Sequence, residues 1–313
     1  MALTYDTLNS LTREDVIKKV TDNIFNATPV LKWFKKNQKT GKSGTKLQAP
    51  VEYARNTNTG WFSGADTFLT NDIQTATKAE VGWKDIYVSV VMTGDDKDQN
   101  KGKNSVVDLV EYKLNNARKT LSYQLTAGIF SDGTGTSNKQ LTGLKAVVDD
   151  GTNIATYANI ERLTDATWWK AKYTAVSDYI SLAVMQSMYG DLTDGEERPG
   201  LIVTTQDIWD DLWELITPIQ RSTSEKMSVD YGFTMINFNG TPVVVDAQCT
   251  TGQMYFLNSN YLKLYPMDGY NEAKWSGWKE PTNQDVGVGQ FIYKANLLCT
   301  NCRYQGRLVS ITT

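Results

Sequence analysis

Between about Ser105 and Phe130 the apolar residues Val107, Val110, Leu114, Ala117, Leu121 and Leu125 recur at intervals of 3, 4, 3, 4 and 4. That rhythm draws one narrow apolar line along a helix. At ~1.5 Å per residue the helix would reach roughly 40 Å, well above the usual globular length. Just before it, Trp83 to Met92 alternates and sets Ile86, Val88, Val90 and Met92 on one face of a strand. Just after it, Asp132-Gly133-Thr134-Gly135-Thr136 breaks the pattern. A helix this long, flanked by extended segments, acts as a strut. A strut points to architecture rather than chemistry.

The chain contains no histidine, the usual general base near neutral pH and the commonest metal ligand. Ser-His-Asp and Cys-His catalysis, zincin motifs and most transition-metal sites are excluded with it. Cys249, Cys299 and Cys302 are too few for a disulfide framework. Cys299 and Cys302 fall in the alternating run Phe291 to Ile311, where residues three apart point to opposite faces, so they are expected as plain strand residues without a metal. The glycines at 133 and 135 follow a helix end, whereas phosphate loops precede a helix start, so they read as chain-stopping. Nine tryptophans, sixteen tyrosines and the acids Asp207, Asp210, Asp211 and Glu214 beside Trp209 and Trp213 would suit a carbohydrate-active hydrolase. That chemistry needs two carboxyls about 5 to 10 Å apart across a sugar. These four share one helix face, and no partner carboxylate from another element is visible. The expectation is a protein that is not an enzyme and has no catalytic, cofactor or metal site.

A chain of 313 residues, 40% hydrophobic, can bury a large core as one elaborate domain or two. Met1 to Phe25 has no apolar signal-peptide core, and no apolar run approaches the length that crosses a bilayer. Synthesis in a cytosol-like compartment and no membrane partner are expected. Charge is uneven. Residues 1 to 46 carry nine Lys or Arg against four acids, while the remainder carries 23 against 31. Lys32, Lys35, Lys36, Lys39, Lys42 and Lys46 occupy a stretch with no acid, so this basic arm is expected to touch something negative: a neighbouring copy or nucleic acid.

Along the chain, Arg13 to Phe25 reads as a short helix capped by Thr12. Leu47, Val51 and Tyr53 suit a strand, which Pro50 places at an edge. Residues 56 to 77 mix turn-formers with Trp61, Phe62, Phe68 and Leu69 and read as a two-stranded excursion with its own tip. Such a hairpin is marginal alone and needs a second surface for its aromatics, on this chain or another copy. A helical pair is expected over Asp165 to Tyr189, then a strand at Leu201 to Val203. A helix opens with Thr204-Thr205-Gln206-Asp207, buries Ile208, Leu212, Leu215 and Ile216, and ends at Pro218. Short strands around 242–245, 254–257 and 261–264 precede one or two long C-terminal strands.

In order and spacing across about residues 1 to 150, short stretches resemble the major capsid proteins of tailed bacteriophages with the Hong Kong 97 type coat fold. They are Gly44-Thr45-Lys46-Leu47-Gln48-Ala49-Pro50, Trp61-Phe62-Ser63-Gly64, Ala79-Glu80-Val81-Gly82-Trp83, Lys113-Leu114-Asn115-Asn116-Ala117, Phe130-Ser131-Asp132-Gly133-Thr134-Gly135 and Leu141-Thr142-Gly143-Leu144. The second half matches only in its general α/β pattern.

The resemblance implies an α+β fold with an N-terminal arm over 1–45 and peripheral-domain strands over 46–100, including an extended loop at about 54–80. The spine helix and the rest of the peripheral domain would fill 101–165, an α/β axial domain about 166–285, and C-terminal strands 286–313. It implies a structural subunit that assembles through hexamers and pentamers into an icosahedral head around double-stranded DNA, in the host bacterial cytoplasm and then the virion. Trp61, Phe62, Phe68 and Leu69 would contact a neighbouring subunit. A separate scaffolding protein and a portal would be partners, with non-specific contact to packaged DNA. The alternative within this fold is an encapsulin, a bacterial compartment shell with enzymatic cargo. Residues 56 to 77 hold no lysine, so the lysine–asparagine cross-link of some relatives is not expected at the tip.

Overall fold

A computed structural model describes residues 28–41, 44–99, 109–220 and 236–313. The helix expected over Arg13 to Phe25, the first residues of the strut, and Lys42 lie outside the described residues. The elements in order are α1 (Pro29–Lys36), β1 (Lys46–Glu52), β2 (Ala76–Gly82), β3 (Lys84–Thr93), α2 (Gly94–Gln99) and α3 (Leu109–Ile129). There follow α4 (Leu144–Val147), β4 (Thr156–Tyr157), β5 (Ile160–Glu161), β6 (Lys172–Ala175), α5 (Leu182–Asp191), β7 (Leu201–Thr204) and α6 (Gln206–Gln220). The last are β8 (Ile236–Phe238), β9 (Thr241–Val245), β10 (Met254–Leu257), β11 (Leu262–Pro266), β12 (Lys274–Trp275), β13 (Val286–Cys299) and β14 (Gly306–Val309).

The chain divides into two compact units, and Tyr87–Leu121 with Trp275–Ile292 belong to one of them. In this unit β3 runs beside β13, and Gly94 N–H donates to the Asp285 carbonyl at 3.0 Å where the pair ends. Thr93 and Asp96 cap α2 reciprocally: Asp96 N–H donates to Thr93 Oγ1 at 3.2 Å, and Thr93 N–H to Asp96 Oδ2 at 3.4 Å. Lys113 of α3 ties into the same corner, 2.8 Å from Asp96 Oδ2 and 3.1 Å from the Val91 carbonyl. Phe291 packs at 4.6 Å from Trp275, with the Arg118 guanidinium 5.5 Å from its ring. Gly289 has no side chain because a Cβ there would sit 2.1 Å from the Trp275 ring.

Ala27–Ile86, Ser122–Lys274 and Tyr293–Thr313 belong to the other unit. Its main sheet has the order β6-β14-β10-β7-β9-β8. Central strands β7 and β10 are apolar at nearly every position and buried at all four, as strands covered on both faces must be. Met185 of α5, Leu192 just past its end, and Ile208 and Leu212 of α6 pack with Ile202 and Phe256 in the core beside this sheet. Ser181 Oγ caps α5 by accepting from Val184 N–H at 3.3 Å. The last turns of α3 bury Leu125 and Ile129, and Gly143 lets the following loop cross them. A Cβ at Gly143 would lie 2.3 Å from the Ile129 carbonyl oxygen.

Several expectations change. The helical pair over 165–189 is a 3-10 turn at Thr167–Trp169, then β6, then α5. β6 is drawn into the sheet by parallel pairing with β14, from Lys172↔Gly306 to Ala175↔Val309, so tertiary pairing overrides local pattern. Leu215 is 40% exposed rather than inward, because the buried row of α6 advances in steps of four through 208, 212 and 216. α6 continues two residues past Pro218. Cys299 and Cys302 do not share one strand. β13 ends at Cys299, Asn301 caps a 3-10 turn at Cys302–Tyr304, and both thiols are free and buried. Among the described residues no group of three or more Cys, Asp or Glu is arranged to hold a metal ion. No helix among them is long and apolar enough to cross a membrane.

Candidate interaction surface

β1 and β2 form an antiparallel hairpin in register from Lys46↔Gly82 to Glu52↔Ala76. Among the described residues β1 pairs only with β2, so Pro50 costs that sheet no second ladder. Its base is fixed by charge. Glu80 accepts from Lys46 Nζ at 2.9 Å, Gln48 Nε2 at 3.0 Å and Asn159 Nδ2 at 3.3 Å, with Lys78 Nζ at 3.6 Å. The Lys46 ammonium, first among these partners, holds the Glu80 carboxyl below its ordinary range. Where the strands end, Tyr53 stacks on Trp168 at 5.3 Å. Lys46, expected as part of the basic arm, thus belongs to the clamp beneath the hairpin.

Beyond Glu52 and before Ala76 the ladder stops, so the two-stranded excursion expected over 56–77 is an extended loop instead. It is held by side chains. Asn58 Nδ2 donates to the Asn71 carbonyl at 2.5 Å, and Asn71 N–H donates back to Asn58 Oδ1 at 3.3 Å. At the tip Ser63 N–H donates to Asp66 Oδ2 at 2.9 Å around Gly64, whose φ of +61° a side chain would resist. Phe62 and Phe68 meet edge to face at 5.1 Å. Even so, Phe62, Phe68 and Leu69 are more than 60% exposed and Trp61 is wholly so. All four apolar residues singled out in the sequence therefore lie open to solvent. A contiguous exposed apolar cluster of this kind is the sort of surface that marks interaction sites.

The basic residues divide into those on one helix face and those elsewhere. α1 starts with Pro29 at a position where its missing N–H is harmless. Val30, Leu31, Trp33 and Phe34 are buried on its inner face, and Lys32, Lys35 and Lys36 lie on the outer one. The chain continues along β11, with Lys39 N–H donating to the Leu264 carbonyl at 3.1 Å and Gly41 N–H to that of Pro266 at 2.8 Å. The described part of the arm thus seats on its own chain and presents lysines outward. On α6, Asp207, Asp210 and Glu214 are exposed, Gln206 Nε2 donates to Asp210 Oδ1 at 2.7 Å, and Trp209 stacks on Trp213 at 5.5 Å. That is the hydrogen bonding of a solvated helix face.

Sequence reading passed over one further surface. Tyr87 and Val91, 70% and 48% exposed, lie on the outer face of β3, opposite the inward Val90 and Met92. The same alternation that marked the inner face contained this signal.

No family model matches the sequence, and no curated protein matches it either. Solved structures do match, end to end. A chain of the capsid asymmetric unit of cyanophage A-1(L) superposes with a TM-score of 0.77 at 17% identity, covering 99% of this chain and 100% of that one. A chain from the capsid of Myoviridae phage XM1 gives 0.63 at 10% identity, covering 99% of each. A chain of the holo-SrpI encapsulin complex from Synechococcus elongatus gives 0.63 at 9% identity, covering 99% of this chain and 96% of that one. At such identities the likeness is one of fold. The chain has the Hong Kong 97 type coat fold.

Proposed function

We propose that this chain is a shell subunit, the major capsid protein of a tailed bacteriophage, which closes with copies of itself into an icosahedral head. The observation that carries the proposal is the projecting loop with Trp61, Phe62, Phe68 and Leu69 exposed on a chain whose whole length follows a coat fold. A protein that is complete alone does not keep its aromatics on a projection. In this reading the loop lies over an adjacent copy, hexamers and pentamers form the shell, and the role is structural rather than catalytic. The outward lysines of α1, with Lys39, face phosphate of packaged DNA or acidic neighbours. A scaffolding protein and a portal complete the assembly. The encapsulin alternative shares the fold, and the content of the particle separates the two. The higher TM-score of the cyanophage chain favours the phage reading.

The test is expression of the chain alone, then size-exclusion chromatography and negative-stain electron microscopy. Closed shells or regular hexamers and pentamers are the expected result. A monomer that stays monomeric after the scaffolding candidate from the neighbouring gene is added would overturn the proposal. Nuclease-protected DNA in shells from infected cells supports the phage reading, and co-purifying cargo enzyme the encapsulin one.

A further inference from the structure

Strand β14 lies between β6 and β10, and in the register of the sheet Arg307 stands opposite Tyr173 on one side and Tyr255 on the other. Directly opposed residues share a sheet face, so the three side chains form a row. The other face at this place carries Met254, Phe256 and Leu308 in the apolar core. The Arg307 guanidinium carbon is 5.5 Å from the centroid of each tyrosine ring, and the residue is only 7% exposed. Its Nε is sealed from solvent without a hydrogen-bond partner. Among the described residues the guanidinium has no hydrogen bond and no ion pair, and a narrow opening is all that reaches its Nη atoms.

Arg162 shows how this fold treats an arginine that serves as structure: it is buried too, but donates to three main-chain carbonyls. Around Arg307 the two ring faces attract a cation yet supply no lone pair to its five N–H donors. A buried charge left in this state carries a desolvation cost that a well-placed anion offsets. A second cation is close. Burial and Asp246 push the Cys249 thiol up, while Arg307 and Lys145 both pull it down. Lys145, half-buried on α4, has no ion-pair partner among the described residues either. Asp246 neutralises neither cation by contact, because its Oδ1 accepts from Gln248 N–H at 2.9 Å and its Oδ2 from Val30 N–H at 3.3 Å. Tyr173 also lines an open cavity of about 470 Å³, where Lys170, Lys172 and Arg303 outnumber Asp150 and Asp191. That balance draws anions to this edge of the sheet.

We infer that Arg307 is the floor of a binding site for a small oxyanion of the phosphate or sulfate class. The guanidinium fork grips two oxygens of the anion between the Tyr173 and Tyr255 rings, and Lys145 adds its charge from the side. The narrow opening favours a free anion over a side chain carried in by a neighbour. The site belongs to one chain and stands whether or not chains assemble.

Equilibrium dialysis of the unassembled full chain against radiolabelled inorganic phosphate, at fixed ionic strength, tests it. Wild type should take up one phosphate per chain saturably, with sulfate competing and chloride not. Arg307→Gln should bind about tenfold more weakly or worse. No saturable uptake, or equal affinity in Arg307→Gln, would overturn the site, the latter by leaving the outward lysines as the binders. Should Arg307→Gln not fold, Arg307→Lys decides. It keeps the charge without the fork and should bind about threefold more weakly or worse, so equal affinity there would also overturn the site. Sedimentation runs supply the last outcome. Wild-type association that phosphate reverses and Arg307→Gln or Arg307→Lys abolishes would give Arg307 a neighbour's carboxylate instead, and the free-anion site would fall.

Discussion

Arg162 is fully buried and directs its guanidinium to main-chain oxygens: Asp149 at 2.7 Å, Ala146 at 2.8 Å and Val147 at 3.2 Å. The Tyr157 ring covers it at 4.9 Å. Removing the donors strips the Ala146 and Val147 carbonyls of this buried partner, while that of Asp149 keeps Ala171 N–H at 3.1 Å, so Arg162→Met should lose about 3 kcal/mol in urea denaturation. Glu161, its neighbour in sequence, works by a different rule. Its carboxylate accepts from Thr164 N–H at 2.9 Å and Oγ1 at 2.7 Å, Asp165 N–H at 3.0 Å and Leu163 N–H at 2.7 Å, which holds its pKa at about 2 against an ordinary 4.5. The stabilisation is thus complete above pH 4.5 and disappears as pH falls through about 2. Glu161→Gln should be less stable than wild type at neutral pH, with the gap between their urea midpoints closing over that acid window. Neither role could be read from the sequence, because each depends on which main-chain groups the fold brings to the side chain.

Among elements, α3 was legible and the hairpin only half so. A regular 3–4 spacing survives any tertiary context, and Ala117, Leu121 and Leu125 are buried as that spacing requires. Leu125→Ala should therefore cost about 2–5 kcal/mol by thermal or chemical unfolding. The alternation of β3 was legible for the same reason. β6 was not, since its strand character comes from β14, more than 130 residues later. The hairpin's four exposed apolar residues were identified, yet the side-chain clasp between Asn58 and Asn71 that replaces the ladder leaves no periodic trace. The tip makes an opposite test to Leu125. Trp61→Ser with Phe62→Ser should change the unfolding free energy by no more than about 0.5 kcal/mol, because those side chains already face water. The same double variant should give no shells by electron microscopy. Loss of both stability and assembly would mean that the tip belongs to the chain's own core.

At the scale of the molecule, the proposed shell would join a surface that donates the tip to a different one that receives it, so each contact would be head to tail and growth would stop only on closure. Contacts that are weak singly become decisive in number. Mixing the Trp61→Ser, Phe62→Ser chain with wild type should reduce shell yield more steeply than simple dilution, as counted on grids at fixed total protein. A linear decline would show that copies act independently.

The position of β14 has a consequence in time. Residues 306–309 lie between β6 and β10 inside the main sheet, although they are made after every other strand. A ribosome must pass residue 309 before that sheet can be completed, and domains fold as units. A chain broken off short of this point lacks an interior strand rather than an ornament. It would be left for cellular proteases, and synthesis would in this way inspect each chain for length before the fold could close.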